Sequence, residues 1–191
     1  MRPRKNKWDK KKEYFLKVSK KVFLKEGLVS SNMKDIAAKA GVSRTALYYY
    51  FKSKKDILRE IVKCGLEVYF NDLIHDITLA KSKQDIRQAI LKNYFEMIKK
   101  DKEFVFIYMQ LLVKTNETSL VSICEYFKKQ QKEWYQKLNE QIREKKMDIS
   151  DDEFRLMSIF SNGMVFAYFI GTSFEEIKKL TDQFLAGFNP Q

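Results

Sequence analysis

The sequence predicts an all-α protein of about nine helices. Its two prolines, Pro3 and Pro190, stand near the ends of the 191-residue chain, and only six residues are glycine. Proline and glycine are the residues that most often break helices, so long helices can form between the ends. Apolar residues recur there at intervals of three and four, the spacing that gives a helix one apolar face.

The first predicted helix covers residues 10–26. Phe15, Val18 and Val22 share its apolar face, lysines occupy the opposite face, and Gly27 ends it. This face has to pack against another element, and the next helices along the chain are the nearest candidates.

The stretch 31–51 reads as two short helices joined by a tight turn. Asn32 or Ser31 can cap the first helix and Ser43 the second, because their side-chain oxygens accept hydrogen bonds from backbone N–H groups. Gly41 stands at the turn, where a φ above zero suits glycine. This spacing is the plan of a helix-turn-helix, whose second helix enters the major groove of DNA. A helical hairpin inside an ordinary core is the alternative.

Charge favours the DNA-binding interpretation. Residues 1–60 hold 18 Lys and Arg against 6 Asp and Glu, whereas residues 61–191 hold 19 of each, so the whole net charge of +12 lies on the segment with the motif. A basic surface releases counterions from DNA phosphates and so gains affinity. Residues 1–12 read as a basic arm that could contact the minor groove or phosphates. Simple solvation of this arm is the alternative, and it is slightly favoured.

Residues 14–62 resemble the DNA-binding domain of the TetR family of bacterial regulators. The segments that match the family's pattern are Phe23 to Gly27, Asp35 to Ser43 and Leu47 to Lys54. The resemblance covers about a quarter of the chain. It implies an N-terminal three-helix helix-turn-helix domain over residues 1–62, joined by a long helix to a C-terminal helical domain for ligand binding and dimerisation over residues 63–191.

The candidate DNA contacts lie around the start of the second predicted helix and along the third. They are Ser31, Asn32, Met33, Ser43, Arg44, Thr45, Ala46, Tyr48, Tyr49, Tyr50 and Lys54. Arg44 can bind a guanine edge through its guanidinium fork, and the Tyr48 ring can meet a thymine methyl group. Tyr50 and Lys54 map onto family positions that commonly bind phosphates. Core packing is the alternative for the three consecutive tyrosines.

Six further helices are predicted after this motif. Several begin at a capping box, in which a serine and an acidic residue three positions later satisfy backbone N–H groups reciprocally. The predicted helices run from Ser53 into the 70s, from Ser82, over 103–114, from about 120 to 146, from Ser150 to Gly171 and from Ser173 onward. The resemblance implies that the first of these transmits changes between the ligand-binding and DNA-binding domains.

The C-terminal region is rich in aromatic residues and methionine. Seven of them are candidate effector contacts: Tyr94, Phe104, Tyr108, Phe127, Trp134, Met164 and Tyr168. A cavity for an apolar or aromatic small molecule would explain this density of large rings. A packed core and a dimer interface rich in rings explain it as well, and the family resemblance favours the cavity.

Small residues at intervals of four on the eighth predicted helix point to a homodimer. Gly163, Ala167 and Gly171 share one stripe that admits a close neighbour. The family dimerises through its last two helices, which implies contacts from Phe160, Gly163, Ala167, Gly171, Ile177 and Phe184. Close packing inside one protomer is the alternative.

Several functions lack support in the sequence. Cys64 and Cys124 form no metal or disulfide pattern and read as small buried apolar residues in a reducing compartment. His75 is the single histidine, and neither a catalytic pair nor a phosphate-binding glycine loop accompanies it. No enzyme activity, metal or cofactor is therefore expected. The apolar runs are too short to span a bilayer, and no signal peptide is recognisable, so we expect a cytoplasmic protein without a membrane partner.

Together these observations predict a ligand-responsive transcriptional regulator, most simply a repressor. It would bind a pseudo-palindromic operator in double-stranded DNA as a homodimer and release it when a small-molecule effector binds. The alternative is a helix-turn-helix protein without a small-molecule ligand, whose C-terminal domain serves only dimerisation or a protein partner.

Overall fold

The computed structural model describes residues 7–113, 118–147 and 149–188. Within these ranges it contains nine α-helices and no strand, which confirms the predicted all-α fold. The helices are α1 (Lys7–Glu26), α2 (Met33–Lys39), α3 (Arg44–Tyr50), α4 (Lys54–Leu79), α5 (Lys83–Lys100), α6 (Lys102–Val113), α7 (Val121–Glu144), α8 (Asp151–Phe169) and α9 (Phe174–Ala186).

Helix α1 begins earlier than the sequence suggested. Its first residue is Lys7 rather than residue 10, so the second half of the predicted arm is helical. The remainder of that arm, residues 1–6, lies outside the described residues. The single residue Asp101 separates α5 from α6.

Side-chain caps fix the starts of the helices as predicted. The Asn32 side chain accepts hydrogen bonds from the N–H groups of Lys34 and Asp35, and the Asp35 carboxylate accepts one from the N–H of Asn32. The same reciprocal arrangement opens α5 at Ser82 and α9 at Ser173. These caps satisfy N–H groups that a helix start otherwise leaves unpaired.

The chain forms two compact units. Unit one comprises Met1–Leu66 and Glu103–Gln131, and unit two comprises Glu67–Lys102 and Lys132–Gln191. The helix-turn-helix therefore shares its unit with α6 and with the first part of α7. Both α4 and α7 contribute residues to the two units.

In unit one, α1 packs against α2, and α2 packs against α3. Phe15 and Phe23 of α1, Ile36 of α2 and Leu47 of α3 are fully buried. Phe15 lies on the apolar face that the helical periodicity predicted for the first helix. The burial of these four side chains holds the two short helices of the motif, which would be unstable alone at this length.

Helix α6 meets α4 at a glycine. No side chain is present at Gly65, and the ring of Phe104 occupies the space that a Cβ atom would take there. The Phe104 ring is itself buried, at 2% exposure. Gly65 therefore serves close packing within unit one.

In unit two, α5 packs against both α8 and α9, and α8 also packs against α9. Arg87 on α5 forms a largely buried ion pair with Glu153 on α8, at 2.6 Å between Nε and Oε1. Phe70 of α4 stacks in parallel on Trp134 of α7, with ring centroids 5.4 Å apart. Aromatic residues of this unit therefore contribute to its core, which is the alternative to a ligand cavity that the sequence left open.

The two cysteines lie in different environments. Cys124 is buried, and this burial raises the pKa of its thiol, with an opposing effect from Lys128. Cys64 on α4 is exposed, so the prediction that it is buried was wrong. It follows Val62 and Lys63 on the helix at a position that the apolar periodicity does not place inward.

Substituting Gly65 by alanine should destabilise the protein by about 1–3 kcal/mol, the usual cost of overfilling a packed core. This sign is unusual, because alanine in a helix is normally favoured over glycine by about 1 kcal/mol. Urea unfolding monitored by circular dichroism measures the change. Lys63→Ala, at an exposed neighbouring position, is the matched control, and Phe104→Leu in the Gly65→Ala background should restore part of the loss. A Gly65→Ala protein as stable as the parent would contradict this steric account.

Candidate nucleic-acid interface

The turn between α2 and α3 is built on a glycine with a positive φ. Gly41 has φ +67°, and the N–H of Val42 donates a hydrogen bond to the Ala37 carbonyl at 3.0 Å. The positive φ is accessible to glycine at little cost. Ser43 then caps α3, because its Oγ accepts a hydrogen bond from the N–H of Ala46 at 3.1 Å.

Helix α3 presents a polar and aromatic face to solvent. Arg44 and Thr45 are exposed at its start, and Tyr48 and Tyr49 are 48% and 76% exposed. Leu47, on the opposite side, is fully buried against the rest of unit one. Four of the predicted DNA contacts thus share an accessible face, and that face begins at the N-terminal end of the helix, the end that leads into the groove in helix-turn-helix proteins.

Two predicted DNA contacts have buried side chains. Ser31 is 1% exposed, and its hydroxyl donates to the Gly27 carbonyl at 2.8 Å. Met33 is 8% exposed. Their positions at the start of α2 are consistent with the motif, but this burial argues against DNA contacts through these two side chains. Asn32 remains exposed, with its side-chain oxygen engaged in the helix cap.

Lys54 is engaged within the protein. Its ammonium group donates hydrogen bonds to the carbonyl oxygens of Leu28 at 2.8 Å, Val29 at 3.0 Å and Ser31 at 2.7 Å. An ammonium has three donors, and these bonds use all of them. Burial lowers the pKa of Lys54, and the nearby Asp35 carboxylate opposes that shift. The structure therefore gives Lys54 a different use from the predicted phosphate contact: it ties the start of α4 to the segment between α1 and α2.

Other lysines around the motif remain accessible. Lys34, Lys39, Lys52 and Lys55 are all exposed within or just beyond the helix-turn-helix. They supply the positive surface that the sequence predicted, without the constraint that holds Lys54. A polyanion approaching α3 would meet this charge.

Sequence reasoning missed Trp8. It assigned this residue to the basic arm, whereas the structure places it in the first turn of α1, with its ring stacked on Tyr50 at the end of α3. Tyr50 was predicted to contact phosphate, and its ring is half-buried between α1 and α3. A helical phase for residues 7–12 in line with the rest of α1 is the one signal that could have placed Trp8.

The seven predicted effector contacts are divided between the two units. Phe104, Tyr108 and Phe127 belong to unit one and are buried, and the Tyr108 hydroxyl accepts a hydrogen bond from Gln131 at 3.1 Å. The other four, Tyr94, Trp134, Met164 and Tyr168, belong to unit two. Of these four, Tyr94 and Met164 are buried and Trp134 and Tyr168 are half-buried.

Unit two contains a cavity of about 440 Å³ between α5 and α9. Leu91, Phe95, Phe174 and Leu185 supply its apolar walls, and charged residues of both signs form its rim. A volume of this size can accommodate a small organic molecule. None of the predicted effector contacts of unit two lines it.

An apolar row runs along the outer face of α8. Leu156, Ile159, Phe166 and Ile170 are 47%, 69%, 57% and 68% exposed. Gly163 lies in the same row, with open space where a Cβ would stand. Such a row of large exposed apolar side chains is typical of an interaction surface.

The predicted dimer contacts partly coincide with this row. Phe160 and Phe184 are half-buried and stack on each other, with centroids 4.0 Å apart, and Ala167 and Gly171 are half-buried and exposed respectively. Ile177 is 1% exposed, which argues against a dimer contact through this side chain. It lies on the inner face of α9, one helical turn from the buried Thr181.

Across residues 7–113, 118–147 and 149–188, no group of three or more His, Cys, Asp and Glu side chains is arranged to hold a metal ion. None of the helices in these ranges combines the length and apolar character that a bilayer crossing requires.

Comparison with known proteins agrees with the motif. Residues 15–61 match the family described as bacterial regulatory proteins, tetR family. The chain is 25% identical to an uncharacterized HTH-type transcriptional regulator, YerO of Bacillus subtilis, over 103 residues, which are 53% of this chain and 36% of YerO. It is 33% identical over 91 residues, 47% of each chain, to IcaR of Staphylococcus aureus strain Newman, the negative transcriptional regulator of the biofilm operon icaADBC. The chain thus spans less than half of each of these two relatives.

A solved structure extends the similarity to the whole fold. FadR of Bacillus subtilis, a transcriptional regulator crystallised with stearoyl-CoA, superposes with a TM-score of 0.71 over 91% of this chain and 95% of FadR. The sequence identity is 18%, so this likeness concerns the fold.

Replacing Lys54 by methionine should lower the free energy of unfolding by about 1–3 kcal/mol, because three carbonyl groups lose a charged donor. Operator affinity should fall without a change in its salt dependence. A lost phosphate contact would instead reduce the slope of log affinity against log salt by about one. Lys52→Met, an exposed neighbour, should leave the unfolding free energy unchanged within about 0.5 kcal/mol. A reduced salt slope at unchanged stability for Lys54→Met would contradict the internal role.

Proposed function

We propose that this chain is a repressor of the TetR family of bacterial transcriptional regulators and that it binds a pseudo-palindromic operator as a homodimer. The observation that carries this proposal is the accessible face of α3. Arg44, Thr45, Tyr48 and Tyr49 are exposed together, within the segment that holds the protein's net positive charge. The name of IcaR as a negative regulator supports the sign of regulation.

Each exposed residue of α3 has a chemical role in this proposal. Arg44 offers two parallel N–H donors to a guanine O6 and N7, and Thr45 offers a hydroxyl to a base edge or phosphate. Tyr48 and Tyr49 offer ring surfaces to thymine methyl groups and hydroxyls to the backbone. The proposed contact surface also includes three residues around the starts of α2 and α3: Asn32, Ser43 and Ala46. Tyr50 supports this surface through its ring contact with Tyr49.

We propose that the apolar row on α8 is the dimer interface. A second copy of the same chain, related by two-fold symmetry, would cover Ile159, Phe166 and Ile170 in both protomers at once. Gly163, Ala167 and Gly171 allow the helices to approach closely, and the stacked pair of Phe160 and Phe184 borders the surface. A dimer is also required on the DNA side, because one helix-turn-helix covers one half-site.

The proposed effector is an apolar or aromatic small molecule. FadR, which shares the fold, was crystallised with stearoyl-CoA, a ligand with a long apolar part, and this supports the proposal. The proposed contacts form two separate candidate groups, one within unit two (Tyr94, Trp134, Met164 and Tyr168) and one within unit one (Phe104, Tyr108 and Phe127). By linkage the effector must bind the DNA-incompetent state more tightly than the DNA-bound state if it is to release the operator.

A second candidate function is a regulator without a small-molecule ligand. The burial of Tyr94, Phe104, Tyr108, Phe127 and Met164 favours it, because buried rings already find their partners inside the protein. In that case the C-terminal region would serve dimerisation or a protein partner. In either case we propose that the protein is located in the cytoplasm, because a bacterial operator lies there.

Operator recognition should appear as a sequence preference at fixed salt. A labelled duplex from the region upstream of the protein's own gene is compared with a scrambled duplex of equal length at about 150 mM salt, where specific binding exceeds non-specific binding by about a thousandfold or more. Arg44→Ala should cost about 1–3 kcal/mol of operator binding and relax the preference at one base position. Equal and strongly salt-dependent binding of both duplexes would mean that only the basic surface is engaged.

Charge placed in the apolar row should separate the protomers. Ile159→Asp and Phe166→Asp each bury a carboxylate in the proposed interface, which is strongly unfavourable without a partner charge. Sedimentation equilibrium should show the parent at twice the protomer mass and both variants as monomers. Leu79→Asp is the matched control, since Leu79 is 65% exposed at the end of α4, outside the row. A monomeric parent, or variants that remain dimers, would contradict this interface.

A further inference from the structure

Trp8 connects the start of α1 to the end of α3. Its ring stacks on that of Tyr50, with centroids 5.5 Å apart and an angle of 28° between the planes. Trp8 is 42% exposed, so the ring keeps one accessible part beside the recognition helix. A large aromatic residue at this place in the first turn of α1 therefore has a defined partner.

Tyr50 also contacts two other aromatic rings, those of Phe15 and Tyr49. Its ring meets the fully buried Phe15 edge-on at 5.1 Å, which anchors it to the core of unit one. It also meets the ring of Tyr49 edge-on at 5.3 Å. Tyr49 is 76% exposed, the highest exposure among the large apolar and aromatic residues of the described chain. The exposed Tyr49 ring therefore packs on Tyr50, and Tyr50 in turn packs on Trp8 and Phe15.

Lys12 restrains the other end of this aromatic series. Its ammonium lies 5.5 Å from the centroid of the Trp8 ring and 5.8 Å from that of Phe51. The same group forms an ion pair with Glu60 of α4, at 2.9 Å between Nζ and Oε2. The indole therefore lies next to a cation that is itself fixed by a carboxylate on another helix, which favours one position of the ring.

We infer that Trp8 is a positioning residue for operator recognition, which it serves by holding Tyr50 and, through Tyr50, the exposed ring of Tyr49. An exposed tyrosine that is free to rotate loses this freedom when it packs on a base, and the loss reduces affinity. Ring contacts made before DNA arrives remove part of that cost. This inference rests on the proposed function, because it requires α3 to contact DNA.

The test uses the full chain and a duplex that the parent protein selects from a randomised pool. Trp8→Leu should bind this duplex about three- to tenfold more weakly, the loss expected when one aromatic side chain must be ordered on binding. Trp8→Phe, which keeps a ring, should retain most of the affinity. The salt dependence should stay the same for both variants, since no phosphate contact is lost.

A double-mutant cycle separates positioning from direct contact. In a Tyr49→Ala background, Trp8→Leu should have no further effect on affinity, because the ring that Trp8 positions is already absent. Thermal unfolding of Trp8→Leu and Trp8→Phe accompanies the measurement, and the two should unfold at similar temperatures. Val121→Ala, at a 36% exposed aliphatic position of unit one, is the control for a surface truncation without an effect on DNA binding.

The outcomes are distinguishable from failure of the proposed function. A parent protein that selects no sequence from the pool refutes operator binding itself. A parent that selects a duplex, together with a Trp8→Leu protein that binds it equally well, overturns the role of Trp8 alone. Additive losses from Trp8→Leu and Tyr49→Ala overturn it too, because they indicate that Trp8 touches DNA directly. Equal losses from Trp8→Leu and Trp8→Phe refute the stacking argument.

Discussion

The ammonium of Lys54 satisfies three carbonyl oxygens of the segment between α1 and α2, and much of unit one depends on that arrangement. The segment has no regular hydrogen-bonding ladder of its own, so its carbonyl groups take donors from elsewhere in the fold. By supplying the donors from the first residue of α4, the fold sets where α4 begins relative to α2. Phe51 and Ile57, on either side of this lysine, are buried and complete the attachment.

Helix α6 also packs against α4 and against the segment that Lys54 holds. Helix α4 presents Gly65 to Phe104 of α6, so α6 belongs to the same compact unit as the helix-turn-helix. The backbone N–H of Leu28 also lies 3.4 Å from the side-chain oxygen of Gln110 on α6. Unit one is thus larger than the segment that matches the family. A rearrangement of α6 would therefore disturb its contacts with Gly65 on α4 and with Leu28 in the segment that Lys54 holds.

The sequence predicted the fold well wherever local and global signals agree. Each helix start marked by a serine or asparagine cap is found, because caps act within four residues and need no tertiary information. The roles of several individual side chains depend instead on tertiary contacts, which the sequence does not reveal. Lys54 and Ser31 have side chains that often contact phosphates, but here both form hydrogen bonds to backbone carbonyl groups of the protein. Trp8 lies in α1, where its ring stacks on that of Tyr50. Asn162 followed by Gly163 is a typical hairpin-turn pair, yet it lies within α8, where packing overrides that preference.

The contrast between the two thiols gives the native chain one chemically addressable position. Cys64 is exposed, whereas burial of Cys124 both shields its sulfur and disfavours the reactive thiolate. A maleimide dye or spin label would therefore attach to α4 one residue before Gly65, on the helix that leaves unit one. Without any engineered cysteine, distances between two such labels in a dimer would report how far apart the two copies of α4 stand, with and without DNA.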